Sequence, residues 1–143
     1  MLQKSGFTLI ELLITVTIIA VLSAVAITSY SGFVRSSRDA KRQADLKFIQ
    51  SALENYNADQ KYYPTQDQVK TDNSLSFGNK VYLTKIPNDP TSNPDYSYIA
   101  TPPGCSGTSC TSYCLYAKIE GKPLPSDSAC NPPASYNYGI TRP

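Results

Sequence analysis

The stretch Phe7–Ile27, FTLIELLITVTIIAVLSAVAI, decides the fold because it is predominantly apolar and carries only one charged residue, Glu11. A run of about 20 apolar residues is long enough to cross a bilayer as a helix. Inside lipid every backbone polar group must bond within the segment, so a helix is expected despite the many β-branched side chains. An ionised carboxylate there costs about 2.5–3.5 kcal/mol on insertion scales, so Glu11 is expected to face a partner.

The helix is expected to continue well beyond the apolar segment, to about residue 60. The chain becomes polar after Ile27, but no proline occurs before Pro64. Apolar residues then recur at steps of three and four and form one stripe, which consists of Leu46, Ile49, Leu53 and Tyr56. Two pairs of opposite charge four residues apart are expected to meet on the exposed face, Arg35 with Asp39 and Lys41 with Asp45.

The remainder of the chain has the composition of turns and short strands. All 11 prolines lie at Pro64 or later. Three segments nearly alternate in polarity, as half-buried strands do: Tyr96–Ile99, Ser112–Ile119 and Tyr136–Ile140. These patterns predict an α+β fold. A long N-terminal helix (7–60), with its first half (7–27) transmembrane, would pack on a small antiparallel β-sheet in a globular domain (61–143).

The octapeptide Gly6-Phe7-Thr8-Leu9-Ile10-Glu11-Leu12-Leu13 resembles the cleavage and methylation site of type IV prepilins and type II secretion pseudopilins. A second set of positions is similar to the major pseudopilin pattern: Asp45-Leu46-Lys47, Ile49, Ala52-Leu53, Tyr56, Tyr63-Pro64-Thr65, Tyr82-Leu83 through Pro87, and Asp89-Pro90. Together these motifs cover roughly the first two thirds of the chain. The resemblance implies a type IV pilin-like fold.

The resemblance also implies a processing and assembly route. Residues 1–6 would be a leader peptide that a prepilin peptidase removes between Gly6 and Phe7, and the new N-terminus at Phe7 would be methylated. Glu11 would meet the N-terminal amine of the neighbouring subunit in a helical homo-oligomeric filament. Further implied partners are an inner-membrane assembly platform, minor pilins and, before assembly, membrane lipid. The C-terminal domain would lie outside the cytoplasm, and the filament would be periplasmic or extracellular.

The implied function is that of a structural subunit of a type IV pilus or a type II secretion pseudopilus. The alternative is a single-pass, membrane-anchored binding domain that does not polymerise. An ordinary secretory signal is a further alternative, because Ala24-Val25-Ala26 has the A-x-A form of a signal-peptidase site. Glu11 has a second role open to it, since a carboxylate in the first turn also complements the positive end of its own helix.

Composition argues against several kinds of site. The chain has no histidine, so it lacks the commonest general base and zinc ligand, and we expect no catalytic residues, metal or cofactor. Five cations lie along the helix, Arg35, Arg38, Lys41, Arg42 and Lys47. We expect them to form a solvated face with salt bridges between subunits, and nucleic acid is an unlikely partner because no aromatic platform lies among them. Few acids occur in the C-terminal third, so a calcium site of the kind common in major pseudopilins is not expected.

Four cysteines occur after Pro64, at Cys105, Cys110, Cys114 and Cys130. An even number on the far side of a membrane anchor favours two disulfides. The spacing favours Cys105–Cys110, across a short flexible stretch, and Cys114–Cys130, which would hold the last strand beside its neighbour. The other two pairings remain open at this point.

Overall fold

The computed structural model describes residues 6–91 and 94–143, and residues 1–5 of the expected leader lie outside the described residues. The chain divides into two compact units, one ending at Ser36 and the other comprising Ser37–Pro143. One long helix and five strands make up the regular structure: α1 (Leu9–Gln60), β1 (Leu75–Phe77), β2 (Lys80–Leu83), β3 (Ser97–Thr101), β4 (Ser112–Ala117) and β5 (Tyr138–Thr141).

The helix α1 ends where the next residue adopts a left-handed conformation. Lys61 has φ 68°, and its N–H bonds the carbonyl oxygen of Asn57 at 2.8 Å. A residue in this conformation at the C-terminus is a common way for a helix to stop. Pro64 follows three residues later. The end at Gln60 agrees with the length predicted from the proline-free sequence.

The second unit contains an antiparallel sheet of three strands in the order β3-β4-β5. Ile99 lies opposite Cys114 across β3 and β4, and Leu115 lies opposite Ile140 across β4 and β5. These strands fall within or next to the three segments predicted from alternating polarity. The predicted α+β architecture, with a long helix and a small antiparallel sheet, is therefore confirmed.

A two-stranded hairpin, β1–β2, is an element that the sequence analysis missed. Phe77 pairs with Lys80, so Gly78 and Asn79 form the connection. Gly78 has φ 57°, a conformation that glycine adopts at little cost. A Gly-Asn pair between two short apolar segments is itself a hairpin signal, so the sequence did carry the information.

The core of the second unit is built on the predicted apolar stripe of α1. Leu46, Ile49, Leu53 and Tyr56 are each at most 1% exposed. Buried residues of β3, β4 and β5 join the same cluster. Each fully buried leucine or isoleucine contributes about 1.5–3 kcal/mol relative to leaving it exposed, so this stripe is the main attachment of the helix within the unit.

Buried tyrosines add hydrogen bonds between α1 and the rest of the second unit. Tyr63 and Tyr113 donate their hydroxyls to Glu54 at 3.0 and 2.8 Å. Burial, together with the Glu54 carboxylate, raises the pKa of Tyr63 to about 12. Tyr96 donates to Asp45 at 2.8 Å, so Asp45 faces the domain instead of the predicted partner Lys41.

Candidate assembly site

The apolar segment formed by Phe7 and the first half of α1 exposes every one of its large side chains. Phe7 is 89% exposed, and the leucines, isoleucines and valines from Leu9 to Ile27 are between 50% and 81% exposed. A helix that is apolar on all sides is stable only within lipid or among other helices. By length and composition this part of α1 is able to cross a membrane. Its side chains therefore form the surface that a bilayer or neighbouring subunits would cover.

Two threonine hydroxyl groups within this apolar segment are satisfied locally. Thr15 donates to the carbonyl oxygen of Leu12, and Thr17 donates to that of Ile14, each at 2.8 Å. A threonine that bonds back to the preceding turn does not present a free polar group to hydrocarbon. Glu11 is therefore the polar side chain of the segment that most requires an explanation.

Glu11 and Thr8 form a capping box at the start of α1. The Glu11 Oε2 atom accepts hydrogen bonds from the Thr8 backbone N–H at 3.0 Å and from the Thr8 hydroxyl at 2.8 Å. The Glu11 N–H donates in turn to the Thr8 hydroxyl oxygen at 3.3 Å. These bonds satisfy amide groups that have no partner inside the helix. The sequence Thr8-Leu9-Ile10-Glu11 has the spacing of this motif, a signal that the sequence analysis did not use.

The predicted cleavage point lies in exposed chain before the helix. Gly6 and Phe7 are exposed and lie outside regular structure, because α1 begins at Leu9. A Cβ atom placed on Gly6 would meet nothing within 4 Å. None of the described residues therefore covers the peptide bond between Gly6 and Phe7, and a peptidase could reach it. Among the described residues, no packing contact requires a glycine at this position.

Arg42 lies at the centre of a buried charge cluster in the second unit, although the sequence analysis placed it on a solvated face. Its residue exposure is only 1%, so that expectation is wrong for Arg42. Its guanidinium donates to Asp89 at 2.6 and 3.0 Å, to Asp39 at 2.8 Å and to Glu120 at 2.8 Å. The signal available in the sequence was only a basic residue next to the apolar stripe, and its distant partners could not be read from it.

Asp39 connects the same cluster to the loop that follows β4. Its Oδ1 and Oδ2 atoms accept the backbone N–H groups of Glu120 and Gly121, both at 2.9 Å. A Cβ atom on Gly121 would lie 3.1 Å from the Asp39 carboxylate, so a small residue suits this approach. The predicted pair of Asp39 with Arg35 is replaced by these contacts and by Arg42. The Arg38 guanidinium also donates to both carboxylate oxygens of Glu120, so this ion pair lies within the chain and not between subunits.

Two carboxylates of the cluster, Glu120 and Asp89, have pKa values that their hydrogen-bond partners lower. The Arg38 hydrogen bond is the main cause that lowers the pKa of Glu120 from 4.5 to about 2, and Arg42 adds to it. Burial would raise the pKa of Asp89, but hydrogen bonds from Arg42 and Thr91 outweigh burial and lower it. Three carboxylates and one buried guanidinium therefore form a connected network, in which each acid offsets the cost of burying Arg42.

The structure pairs Cys105 with Cys110 and Cys114 with Cys130, the pairing that the spacing favoured. The Cα atoms are 5.2 Å apart in the first pair and 5.7 Å apart in the second. The first pair closes a short loop after β3. The second joins β4 to the long connection that leads into β5. All four cysteines are used in this way.

No group of three or more candidate ligands is arranged for a metal ion within residues 6–91 and 94–143. Glu120 and Asp89 contact arginines, and the Asp127 carboxylate accepts the Thr141 N–H at 2.7 Å. The absence of a tight calcium site stays a prediction. It rests on the small number of acids and on the contacts that already engage them.

Comparisons with known proteins place the two parts of the chain in related groups. Residues 1–27 match the family described as prokaryotic N-terminal methylation motif. Residues 28–131 match the family described as type IV minor pilin ComP, DNA uptake sequence receptor.

Curated relatives include several proteins named type II secretion system core protein G. The Pseudomonas aeruginosa protein is 35% identical over 73% of this chain and 78% of its own length. The Vibrio cholerae protein is 30% identical over 76% of this chain and 77% of its own length. The Escherichia coli protein is 26% identical over 73% of this chain and 77% of its own length. No solved structure matches the chain.

Proposed function

This chain belongs to the family of type IV pilins and type II secretion pseudopilins, and from that membership we propose how it is processed and assembled. Membership makes it a structural subunit of a pilus or a pseudopilus. The alternative of an anchored binding domain that does not polymerise is not favoured by these relatives. In our proposal, a prepilin peptidase cuts between Gly6 and Phe7, and Phe7 becomes the methylated N-terminus.

The exposed apolar segment of α1 is the observation that carries the proposal. Large apolar side chains from Leu9 to Ile27 are all at least half exposed, while the core of the chain is built elsewhere. Lipid covers this surface before assembly, when the chain is a single-pass inner-membrane protein with its globular domain outside the cytoplasm. Neighbouring subunits cover it in the filament, which forms with the help of minor pilins and an inner-membrane assembly platform. Such an exchange keeps apolar area away from water at both stages.

Glu11 has two successive roles in this proposal. In the unprocessed chain its carboxylate caps α1 through Thr8. Cleavage creates a new amine at Phe7, one residue before Thr8. In the filament the carboxylate meets the amine of a neighbouring subunit, which offsets the cost of a charge surrounded by apolar helices. The capping role and the assembly role therefore belong to different stages.

We do not extend to this chain the DNA-receptor role in the description of the matched pilin family. Arg42 is buried among carboxylates and Arg38 is bonded to Glu120, so two of the five cations along α1 are engaged. Phosphate binding depends on cations that are free to release their counterions. The structural role therefore rests on stronger evidence than nucleic-acid binding.

Mass spectrometry of the mature protein tests the proposed processing. The chain is produced in cells with and without a prepilin peptidase, and the intact mass is measured after extraction from the membrane. We expect a chain that begins at Phe7 and carries one added methyl group only where the peptidase is present. A chain that begins at Ile27 would show signal-peptidase processing instead and would contradict the proposal.

A further inference from the structure

Two aromatic side chains that follow the apolar segment of α1 are left uncovered. Tyr30 is 70% exposed and Phe33 is 73% exposed. Neither belongs to a hydrophobic cluster formed by the described residues. Both lie in the first unit, which ends at Ser36. An exposed aromatic pair therefore comes shortly after the part of the helix that is able to cross a membrane.

An arginine follows this aromatic pair within one helical turn. Arg35 is exposed, and its expected partner Asp39 bonds Arg42 instead. None of the ion pairs among residues 6–91 and 94–143 includes Arg35. Side chains of an α-helix lean towards its N-terminus, so an arginine at this place can reach back to lipid phosphates. Aromatic rings and long cations at the end of an apolar span are typical anchors at a membrane surface.

The three side chains leave the helix on different sides. With 3.6 residues per turn, Tyr30 and Phe33 lie about 60° apart around the axis, and Arg35 lies about 160° from Phe33. A second protein packed beside the helix would cover only one of these sides. A bilayer surrounds a single helix, so it covers all of them at one depth. The arrangement therefore favours phospholipid over a protein as the partner.

The length of the helix relates these residues to Glu11. About 28 Å of helix axis separates Glu11 from Tyr30 at a rise of 1.5 Å per residue. The hydrocarbon core of a typical bilayer is about 30 Å thick. When Tyr30 lies at one boundary of this core, Glu11 lies close to the other boundary, where a carboxylate is less costly than at the centre.

We propose that Tyr30, Phe33 and Arg35 form a collar that binds the interfacial layer of a phospholipid bilayer and fixes the depth of the anchor before assembly. The rings occupy the layer between acyl chains and headgroups, and the guanidinium binds lipid phosphate. Glu11 is thereby held at the opposite boundary until a neighbouring subunit supplies its partner. This inference rests on the proposed membrane stage and adds to it a device that sets the depth of the span.

Depth-dependent fluorescence quenching on the full, unprocessed chain in phospholipid vesicles tests the proposal. Leu13→Trp supplies the reporter, because the chain contains no tryptophan and position 13 lies far from the collar. The vesicles consist of phosphatidylcholine and phosphatidylglycerol, and part of the lipid carries bromine either near the headgroup or near the end of the acyl chain. The ratio of quenching by these two lipids reports the depth of position 13.

The test variant adds Tyr30→Leu and Phe33→Leu to the reporter chain. Leucine is apolar but has no preference for the boundary, so residues 30 and 33 enter the hydrocarbon and the span moves by about 4 Å towards the side that holds the N-terminus. Position 13 should become shallower, with more quenching by lipid brominated near the headgroup. Phe48→Leu is the matched control, because Phe48 is an aromatic residue 57% exposed in the second unit, and it should leave the ratio unchanged. Adding Arg35→Leu to the test variant should enlarge the shift.

Three results would overturn the proposal: the same ratio in the test variant and the reporter chain, an equal shift in the Phe48→Leu control, or a ratio that changes with the amount of protein per lipid. The last result would show that a second copy covers the collar. A reporter that neither brominated lipid quenches would refute the proposed membrane anchor and the collar together. Normal quenching with an unchanged depth would refute the collar alone.

Discussion

Two single substitutions, at Glu11 and at Thr8, distinguish the capping role of Glu11 from its proposed assembly role. Glu11→Gln retains an oxygen that accepts from Thr8 but removes the charge, whereas Thr8→Ala removes the two hydrogen bonds of the Thr8 hydroxyl and leaves the carboxylate. We expect Glu11→Gln to insert in the membrane as well as the parent chain, because it makes the segment less costly to bury. It should nevertheless form few filaments, while Thr8→Ala forms many more. Filament yield by electron microscopy, with membrane insertion measured by fractionation, checks this prediction. Normal filament yield from Glu11→Gln would show that the charge is not used.

Arg42 is the residue whose loss should cost the second unit most. Replacing it with methionine leaves three carboxylates without their shared cation, and breaking a buried ion pair in this way costs about 3–5 kcal/mol. Lys41→Met is the matched control, since Lys41 is exposed and surface changes are usually within about 0.5 kcal/mol. Urea unfolding of the full chain in detergent measures both. Equal midpoints for the two variants would contradict the burial of Arg42.

At the scale of elements, the two disulfides should differ in what they stabilise. Cys114–Cys130 closes a loop with a sequence separation of 16, worth about 3 kcal/mol by chain entropy, and it links β4 to the connection that enters β5. Cys105–Cys110, with a separation of 5, is worth about 2 kcal/mol and closes only the loop after β3. We expect Cys114→Ala with Cys130→Ala to lower the free energy of unfolding more than the other double variant. Non-reducing peptide mapping of the parent chain checks that the two disulfides join these cysteines. A peptide that joins Cys105 or Cys110 to Cys130 would refute the pairing.

Sequence patterns predicted those elements that depend on local periodicity. The stripe from Leu46 to Tyr56 and the alternation around Tyr98 each report which side of an element is buried, and that information lies within a few neighbouring residues. The strand around Tyr113 is buried on both faces, because it is the central strand of the sheet, and its sequence pattern did not show this. The partners of Arg42 could not be predicted in this way. Asp89 and Glu120 lie 47 and 78 positions away, and charge alone does not say which of many acids will meet one arginine. The N-terminal site residues Gly6, Phe7 and Glu11 were predicted because the octapeptide that contains them resembles a known family motif.

At the scale of the whole molecule, the charge cluster should make the folded protein sensitive to acid. The pKa of Glu120 is about 2 in the folded protein and 4.5 when its partners are lost, and the pKa of Asp89 is also lowered. Their contribution to stability is therefore complete above about pH 4.5 and disappears as the pH falls towards 2. We expect the melting temperature of the full chain to fall across this interval. In Glu120→Gln the fall should be shallower, and identical curves for the two proteins would count against the cluster as its cause.

The Arg42 guanidinium, which Asp39, Asp89 and Glu120 share, also constrains how this sequence can evolve. Replacing Asp39, Asp89 or Glu120 alone leaves a buried positive charge less balanced, and replacing Arg42 alone leaves three acids facing one another. Each single substitution therefore lowers the free energy of unfolding more than a joint substitution of several positions, as expected for residues within one network. Lineages descended from this chain should thus gain or lose the arginine and its acids as a group. A descendant with a neutral apolar residue at position 42 should carry neutral residues at positions 39 and 89 as well.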